Sequence, residues 1–121
     1  MQLLLDSHAL IWAVQSPDKL GDLAALSISN PSHQILISAA TIWEISIKVG
    51  IGKLTLTTPF RDWMHAAIQA LQATTVPISI EHAALQASLP SHHRDPFDRL
   101  LIAQALVEQV HLVSSEELFD R

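Results

Sequence analysis

The chain has 121 residues, of which 49% are hydrophobic, and this predicts one domain over residues 1–121 with a packed core. The absence of cysteine excludes disulfide bonds, thiolate catalysis and cysteine-based zinc sites, and it suits a reducing cytoplasm. A formal net charge of −5 argues against a partner bound through a broad basic surface. The first residues contain no basic segment, and no apolar run approaches the ~20 residues of a membrane span. We therefore expect a cytoplasmic protein with no membrane partner.

Short apolar runs alternate with amphipathic segments along the first half of the chain. Unbroken apolar runs predict buried strands at 2–5 and 34–38. Helices are predicted at 7–15, within 16–29 after Pro17, and at 39–50. Ser7 is the expected N-cap of the first helix, and Gly50 and Gly52 are expected to end the third.

The same alternation continues through the second half. After a connector at 54–59, helices are predicted at 60–73, 81–90 and 96–110, and strands at 74–79 and 111–114. Pro77 places the third strand near an edge or a strand end. Apolar strands separated by helices are typical of an α/β fold, with a mainly parallel sheet covered by helices on both faces. In such sheets the ligand crevice lies at the carboxyl ends of the strands.

The segment HHRDPFDRLLIAQA, residues 92–105, places two aspartates at the start of the longest predicted helix. Asp95 is the expected N-cap, with Pro96 at the first helical position and Asp98 at the third, as in a variant capping box. Capping alone explains both residues if no other acid lies nearby. A role for Asp98 in an active site depends on whether further carboxylates converge on it.

Three further acids occupy comparable positions. Asp6 ends the first strand, Glu44 lies early in the helix after the second strand, and Glu116 follows the last predicted strand. Asp6 has a simpler interpretation as a helix-entry residue, and Glu116 as a first-turn acid of a short final helix. Glu44 shares a polar stripe with Thr41 and Lys48, and its simpler interpretation is a surface ion pair with Lys48 worth ~0.3–0.5 kcal/mol.

The recurrence of these acids at strand ends and helix starts favours a common site. Clustered carboxylates repel one another and raise each other's pKa, so a fold that keeps such a cluster does so at a cost. A hard divalent cation removes that cost, and Mg²⁺ and Mn²⁺ prefer carboxylate oxygens and water. One or two such ions activate water and stabilise phosphoryl displacement. The pattern therefore predicts metal-dependent hydrolysis of a phosphodiester.

The motifs resemble those of the PIN-domain ribonucleases, specifically the VapC toxins of toxin–antitoxin modules. In the order of that family, the matching stretches are LLLDSHALIWAV, ISAATIWEISIKVGIGKL, LPSHHRDPFDRLLIAQA and LVSSEELF. They cover nearly the whole chain. The resemblance implies a single PIN domain with a three-layer α/β/α fold and a mainly parallel central sheet. It also implies Mg²⁺- or Mn²⁺-dependent cleavage of RNA, a homodimer, and inhibition by a cognate VapB-type antitoxin.

The resemblance further implies which residues form the site. Asp6, Glu44 and Asp98 correspond to the core acids and Glu116 to a fourth, and all four are implied to be catalytic and to bind the metal. The sequence departs from the family pattern at two of its positions. Ser7 stands where threonine is commonest, which preserves a hydroxyl, and Glu116 stands where aspartate is usual, which moves the carboxylate outward by one methylene.

Four residues are accessory candidates. Ser7 either holds a metal-bound water or a phosphate oxygen, or only caps a helix. Arg94 and Arg99 flank the acids and either meet RNA phosphate, pair with the neighbouring aspartates, or meet an antitoxin. Asp95 is interpreted as the N-cap, with a supporting role around the metal as the alternative.

Histidines and tryptophans have simpler interpretations. The seven histidines show no metal-binding spacing such as HExxH, so we interpret them as solvent-facing or substrate-facing. Trp12, Trp43 and Trp63 lie on amphipathic helices and are predicted to be core or interface residues. Stacking on nucleic-acid bases is the alternative for them.

Three other functions compete with the ribonuclease hypothesis. The first is a catalytically inactive PIN fold that only binds protein or RNA partners, against which the intact acids argue. The second is a phosphoacceptor receiver domain, which needs an acidic pair after its first strand and a late lysine. Here Asp6 stands alone and no lysine follows Lys53. The third is transcriptional autoregulation, for which the acidic balance predicts that an antitoxin supplies the DNA contact.

Overall fold

The computed structural model of the protein describes residues 1–90, 95–114 and 118–119. Within these ranges the strands are β1 (Gln2–Leu5), β2 (Gln34–Ser38), β3 (Thr74–Val76), β4 (His111–Val113) and β5 (Leu118–Phe119). The helices are α1 (Ser7–Gln15), α2 (Asp22–Ser29), α3 (Ala39–Gly50), α4 (Phe60–Ala70), α5 (Ile80–Ser88) and α6 (Pro96–Glu108), with a 3₁₀ turn at Pro17–Lys19. No helix in this part of the chain is both long and apolar enough to cross a membrane.

The strands form one sheet in the order β3-β2-β1-β4-β5. The first four strands are parallel, and β5 pairs antiparallel with β4. The central strand β1 pairs on both sides, so that Leu4 lies opposite Leu36 of β2 and Leu112 of β4. The prediction of an α/β fold with a mainly parallel sheet is confirmed.

Both faces of the sheet are covered, which gives three layers. Successive side chains of a strand point to opposite faces, and β1 shows this clearly because all three of its leucines are buried. Leu3 and Leu5 pack in a core built with residues of α1, α2, α3 and α4. Leu4 packs on the other face in a smaller cluster that includes Leu101 and Ala105 of α6. The predicted three-layer α/β/α arrangement is therefore confirmed.

Apart from differences of up to three residues at the ends of elements, the predicted elements differ from the observed ones in two places. The segment after Pro17 contains a 3₁₀ turn at Pro17–Lys19 before α2, because Leu20 and Gly21 have extended backbone angles that interrupt the helix. The alternative interpretation of Glu116 expected a short final helix, whereas Leu118–Phe119 form an antiparallel edge strand. The prediction of β3 near an edge is confirmed, and β3 ends immediately before Pro77.

Candidate functional site

Asp6 lies at the carboxyl end of the central strand, where β1 passes into α1. Its backbone N–H donates to the carbonyl of Val113 at 3.0 Å, which extends the pairing of β1 with β4 by one residue. Its carboxylate Oδ1 accepts from the N–H of Ala9 at 2.8 Å. Asp6 is therefore the N-cap of α1, and the prediction that Ser7 is the cap is wrong. Asp6 takes that position because its backbone is still extended, while Ser7 is already the first helical residue.

Glu44 is a buried carboxylate with a partner on each oxygen. The hydroxyl of Ser7 donates to its Oε1 at 3.0 Å, and the ammonium of Lys48 lies 3.0 Å from its Oε2. The expected ion pair of Glu44 with Lys48 forms, but its placement at the surface was wrong, because Glu44 is only 5% exposed. The hydrogen bond from Ser7 joins the start of α1, which follows β1, to α3, which follows β2.

The carboxylate of Asp6 is buried and lies near two other carboxylates at this edge of the sheet. Burial raises the pKa of the Asp6 carboxyl, and the negative charges of Asp98 and Glu44 raise it further. The hydrogen bond from Ala9 and the proximity of His8 act in the opposite direction on this pKa. Asp98 lies in the first turn of α6, on an exposed part of the surface. The structure thus places Asp98 and Glu44 within electrostatic reach of Asp6.

The raised pKa of Asp6 predicts that this carboxylate weakens the metal-free fold. An acid whose pKa is higher in the folded protein destabilises it once ionised, and this cost vanishes as pH falls below the ordinary pKa of aspartate. Asn caps a helix about as well as Asp, so Asp6→Asn removes the charge and retains the cap. We expect Asp6→Asn to raise the melting temperature by a few degrees at neutral pH in EDTA.

The pH dependence of the melting temperature checks this interpretation. The advantage of Asp6→Asn over the parent should shrink as pH falls from neutral towards the ordinary pKa of aspartate, ~3.9, because the Asp6 carboxyl of the folded parent, whose pKa is raised, gains its proton above that pH. A variant that is less stable than the parent at neutral pH would show that the carboxylate contributes more through its hydrogen bond to Ala9 than it costs through burial.

Asp95 is the N-cap of α6, as predicted. Its side chain accepts from the N–H of Phe97 at 2.9 Å, and Pro96 occupies the first turn. The predicted fourth acid Glu116 and the accessory candidate Arg94 lie outside the described residues.

Arg99 links the start of α6 to the end of α5 by hydrogen bonds. Its guanidinium donates to the carbonyl oxygens of Pro90 at 2.8 Å, Gln86 at 2.8 Å and Leu89 at 3.1 Å. The last carbonyls of a helix have no partner within the helix, and a planar guanidinium suits several acceptors at once. These contacts favour a positioning role, in which Arg99 fixes the turn of α6 that carries Asp98.

We expect Arg99→Met to lower the free energy of unfolding by about 1.5–3 kcal/mol, the usual range for hydrogen bonds from a charged group. Arg99→Lys should recover only part of the loss, because a single ammonium cannot reproduce the planar fork. Urea denaturation measures both changes. If Arg99→Met retains the stability of the parent but binds RNA more weakly, Arg99 acts on phosphate and the positioning interpretation fails.

Two residues near the site were not predicted. His8 follows Asp6 by two positions and lowers the pKa of the Asp6 carboxyl; its closeness to Asp6 in the sequence was the available signal. Thr41 is 1% exposed, and its hydroxyl has no hydrogen-bond partner within the part of the chain that the structure describes. Its membership of the polar stripe with Glu44 was a signal, but a polar stripe on a helix usually indicates a solvent-facing side.

The potential metal ligands at this edge of the sheet are of the chemical type that a hard divalent cation binds. Three carboxylates and the Ser7 hydroxyl offer oxygen atoms only, the ligands that Mg²⁺ and Mn²⁺ prefer. The burial of the Asp6 carboxyl among other negative charges gives a cation a favourable place. Over residues 1–90 and 95–114, no three His, Asp or Glu side chains lie close enough to hold an ion as they stand.

These features define an α/β domain whose acidic residues gather at the carboxyl edge of a mainly parallel sheet. The PIN domain model matches residues 3–121 of the sequence, and the chain belongs to the PIN domain family. Its fold is similar to that in the crystal structure of VapBC2 from Rickettsia felis bound to a DNA fragment from their promoter, with a TM-score of 0.66 and 17% sequence identity. That match covers 93% of this chain and 86% of the other. No curated protein matches the sequence.

Proposed function

We propose that this protein is a metal-dependent ribonuclease toxin of the VapC type. The observation that carries the proposal is the proximity of Asp98 and Glu44 to Asp6 at the carboxyl edge of the sheet, where their charges raise the pKa of the Asp6 carboxyl. This edge is where open α/β sheets bind their ligands. Membership of the PIN domain family and the fold shared with VapBC2 support the proposal, as do the sequence motifs around the three acids.

Asp6 and Asp98 are the proposed ligands of a Mg²⁺ or Mn²⁺ ion, together with Glu44. A divalent ion held there supplies activation of water and stabilisation of the charge that develops on a displaced phosphate. Ser7 orients Glu44 through its hydrogen bond. The first turns of α1 and α6, which follow Asp6 and Asp95, add partial positive charge towards a bound phosphodiester. Glu116 is the proposed fourth acid.

The proposed partners are a VapB-type antitoxin and a second copy of the chain. The structural neighbour is a VapBC2 complex, which supports the first. Exposed apolar residues support the formation of complexes in general, because large apolar side chains at the surface mark interaction sites when they cluster. On α3 these are Trp43 and Ile47, with Ile51 just after the helix, and on α6 they are Leu106 and Val107.

Incubation of the purified protein with a single-stranded RNA tests the proposed activity. We expect cleavage in Mn²⁺ or Mg²⁺, none in excess EDTA, and none of a DNA strand of the same sequence. A parent protein that binds RNA but leaves it intact in every metal would support the competing interpretation, a PIN fold that acts only by binding.

A further inference from the structure

Lys48 contacts the acidic site from its solvent side. Its ammonium lies 3.0 Å from Oε2 of Glu44, and its side chain is 36% exposed where that of Glu44 is 7% exposed. The other oxygen of Glu44 accepts from Ser7. Both carboxylate oxygens are therefore already engaged by groups of the chain. A metal ion that binds Glu44 must compete with the ammonium for the carboxylate.

The charge of Lys48 also affects how the site would meet an RNA phosphate. Asp6, Glu44 and Asp98 bring three negative charges to one edge of the sheet, and a single divalent ion leaves one of them uncompensated. A phosphodiester is itself an anion, so it would meet net negative charge. The positive charge of Lys48 removes that excess, and like charges in a partly buried site repel strongly enough for the difference to matter.

We propose that Lys48 is the resident counter-ion of this site, one that opposes binding of the divalent ion and promotes binding of the RNA phosphate. This inference rests on the proposed ribonuclease function. In the metal-free protein the ammonium of Lys48 offsets the charge of Glu44 and pairs with its carboxylate. When a divalent ion is bound, the ammonium, at the exposed rim, lies where it attracts the phosphodiester.

The proposal predicts opposite effects on two affinities, which a merely structural lysine would not produce. Lys48→Met keeps the length of the side chain and removes its charge. We expect this variant to bind Mn²⁺ about ten-fold more tightly without RNA, because a unit positive charge has left the neighbourhood of the ion. Titration followed by the electron paramagnetic resonance of free Mn²⁺ measures this. At saturating Mn²⁺ the same variant should show a KM for single-stranded RNA raised by about ten-fold.

Two further variants isolate the charge and its location. Lys48→Arg keeps a positive charge beside Glu44 and should restore both affinities to within a few-fold of the parent. Lys53→Met removes an equivalent charge from an exposed lysine five residues later and should leave both close to the parent values. Circular dichroism and melting curves establish that each variant is folded.

Several results would overturn the inference. Lys48→Met that binds Mn²⁺ no more tightly than the parent would show that Lys48 does not oppose the ion. An unchanged KM for RNA at saturating Mn²⁺ would show that Lys48 does not attract phosphate. If Lys53→Met changed both affinities as much as Lys48→Met does, the effects would come from the net charge of the protein and not from the position of Lys48. The Mn²⁺ titration contains no RNA. A parent that binds Mn²⁺ and cleaves no RNA would therefore refute the ribonuclease function, while the titration still decides whether Lys48 opposes the ion.

Discussion

Asp98→Asn is expected to lower the rate of RNA cleavage by more than about 100-fold, since loss of an outer partner of a metal ligand already costs ~10–100-fold. The change removes one of the three charges that act together at the sheet edge and preserves the size of the side chain. Asp98 lies in the first turn of α6 without being its N-cap, so the helix should remain intact. Cleavage of a labelled single-stranded RNA at saturating Mn²⁺ measures the rate. Expression of the parent toxin in bacteria is expected to slow growth, and expression of Asp98→Asn is not.

Asp95→Asn is the matched control for that variant. Both aspartates begin α6, and both changes remove one charge from the same turn. Asp95 acts as the N-cap, a role that Asn fills about equally well, so activity should stay within a few-fold of the parent. If the two variants lose activity equally, the local charge of the helix start matters and the specific role assigned to Asp98 is wrong. A folded Asp98→Asn protein with full activity would refute that role outright.

Trp63→Ala is expected to lower the free energy of unfolding by about 3–5 kcal/mol, the range for truncating a buried aromatic side chain. Trp63 is 2% exposed and belongs to the larger core cluster. Its ring N–H also donates to Oε1 of Gln15 at 3.0 Å. This hydrogen bond links α4 to the end of α1. Urea denaturation measures the loss.

Trp43→Ala provides the comparison because Trp43 is 62% exposed. Its main described contact is an edge-on approach to the ring of Phe97 at 5.6 Å between ring centres. Such a ring pair contributes ~0.5–1.5 kcal/mol, so the loss of stability should be about 1 kcal/mol. A cost for Trp63→Ala as small as that for Trp43→Ala would contradict the assignment of Trp63 to the core.

The sequence predicted the sheet because its central strands are unbroken apolar runs that only a doubly covered parallel sheet can bury. β5 was missed because Leu118–Phe119 form an antiparallel strand of only two residues, too short to produce a periodic signal. The N-cap of α1 was misplaced because Asp6 and Ser7 are both good capping residues. Only the pairing of Asp6 with Val113 decides between them.

The sequence predicted that Asp6 and Glu44 lie near the carboxyl ends of the strands, but it did not predict the burial of Glu44. On α3 the usual order is reversed: Thr41 and Glu44 are buried while Trp43 is largely exposed. A sequence shows the polar stripe but not which side it faces, and helix stripes normally turn their polar side to water. Glu44 departs from that preference, and its buried carboxylate is bonded to the Ser7 hydroxyl and paired with the Lys48 ammonium.

A crystal structure of the protein grown with Mn²⁺ tests most directly the claim that these acids form one metal site. Manganese scatters X-rays anomalously, so its position can be read independently of the protein atoms. We expect an anomalous peak in contact with carboxylate oxygens of Asp6 and Asp98, and the loss of that peak in crystals of Asp98→Asn. A parent structure with saturating Mn²⁺ and no peak at these two aspartates, or with a peak only elsewhere on the surface, would contradict the account.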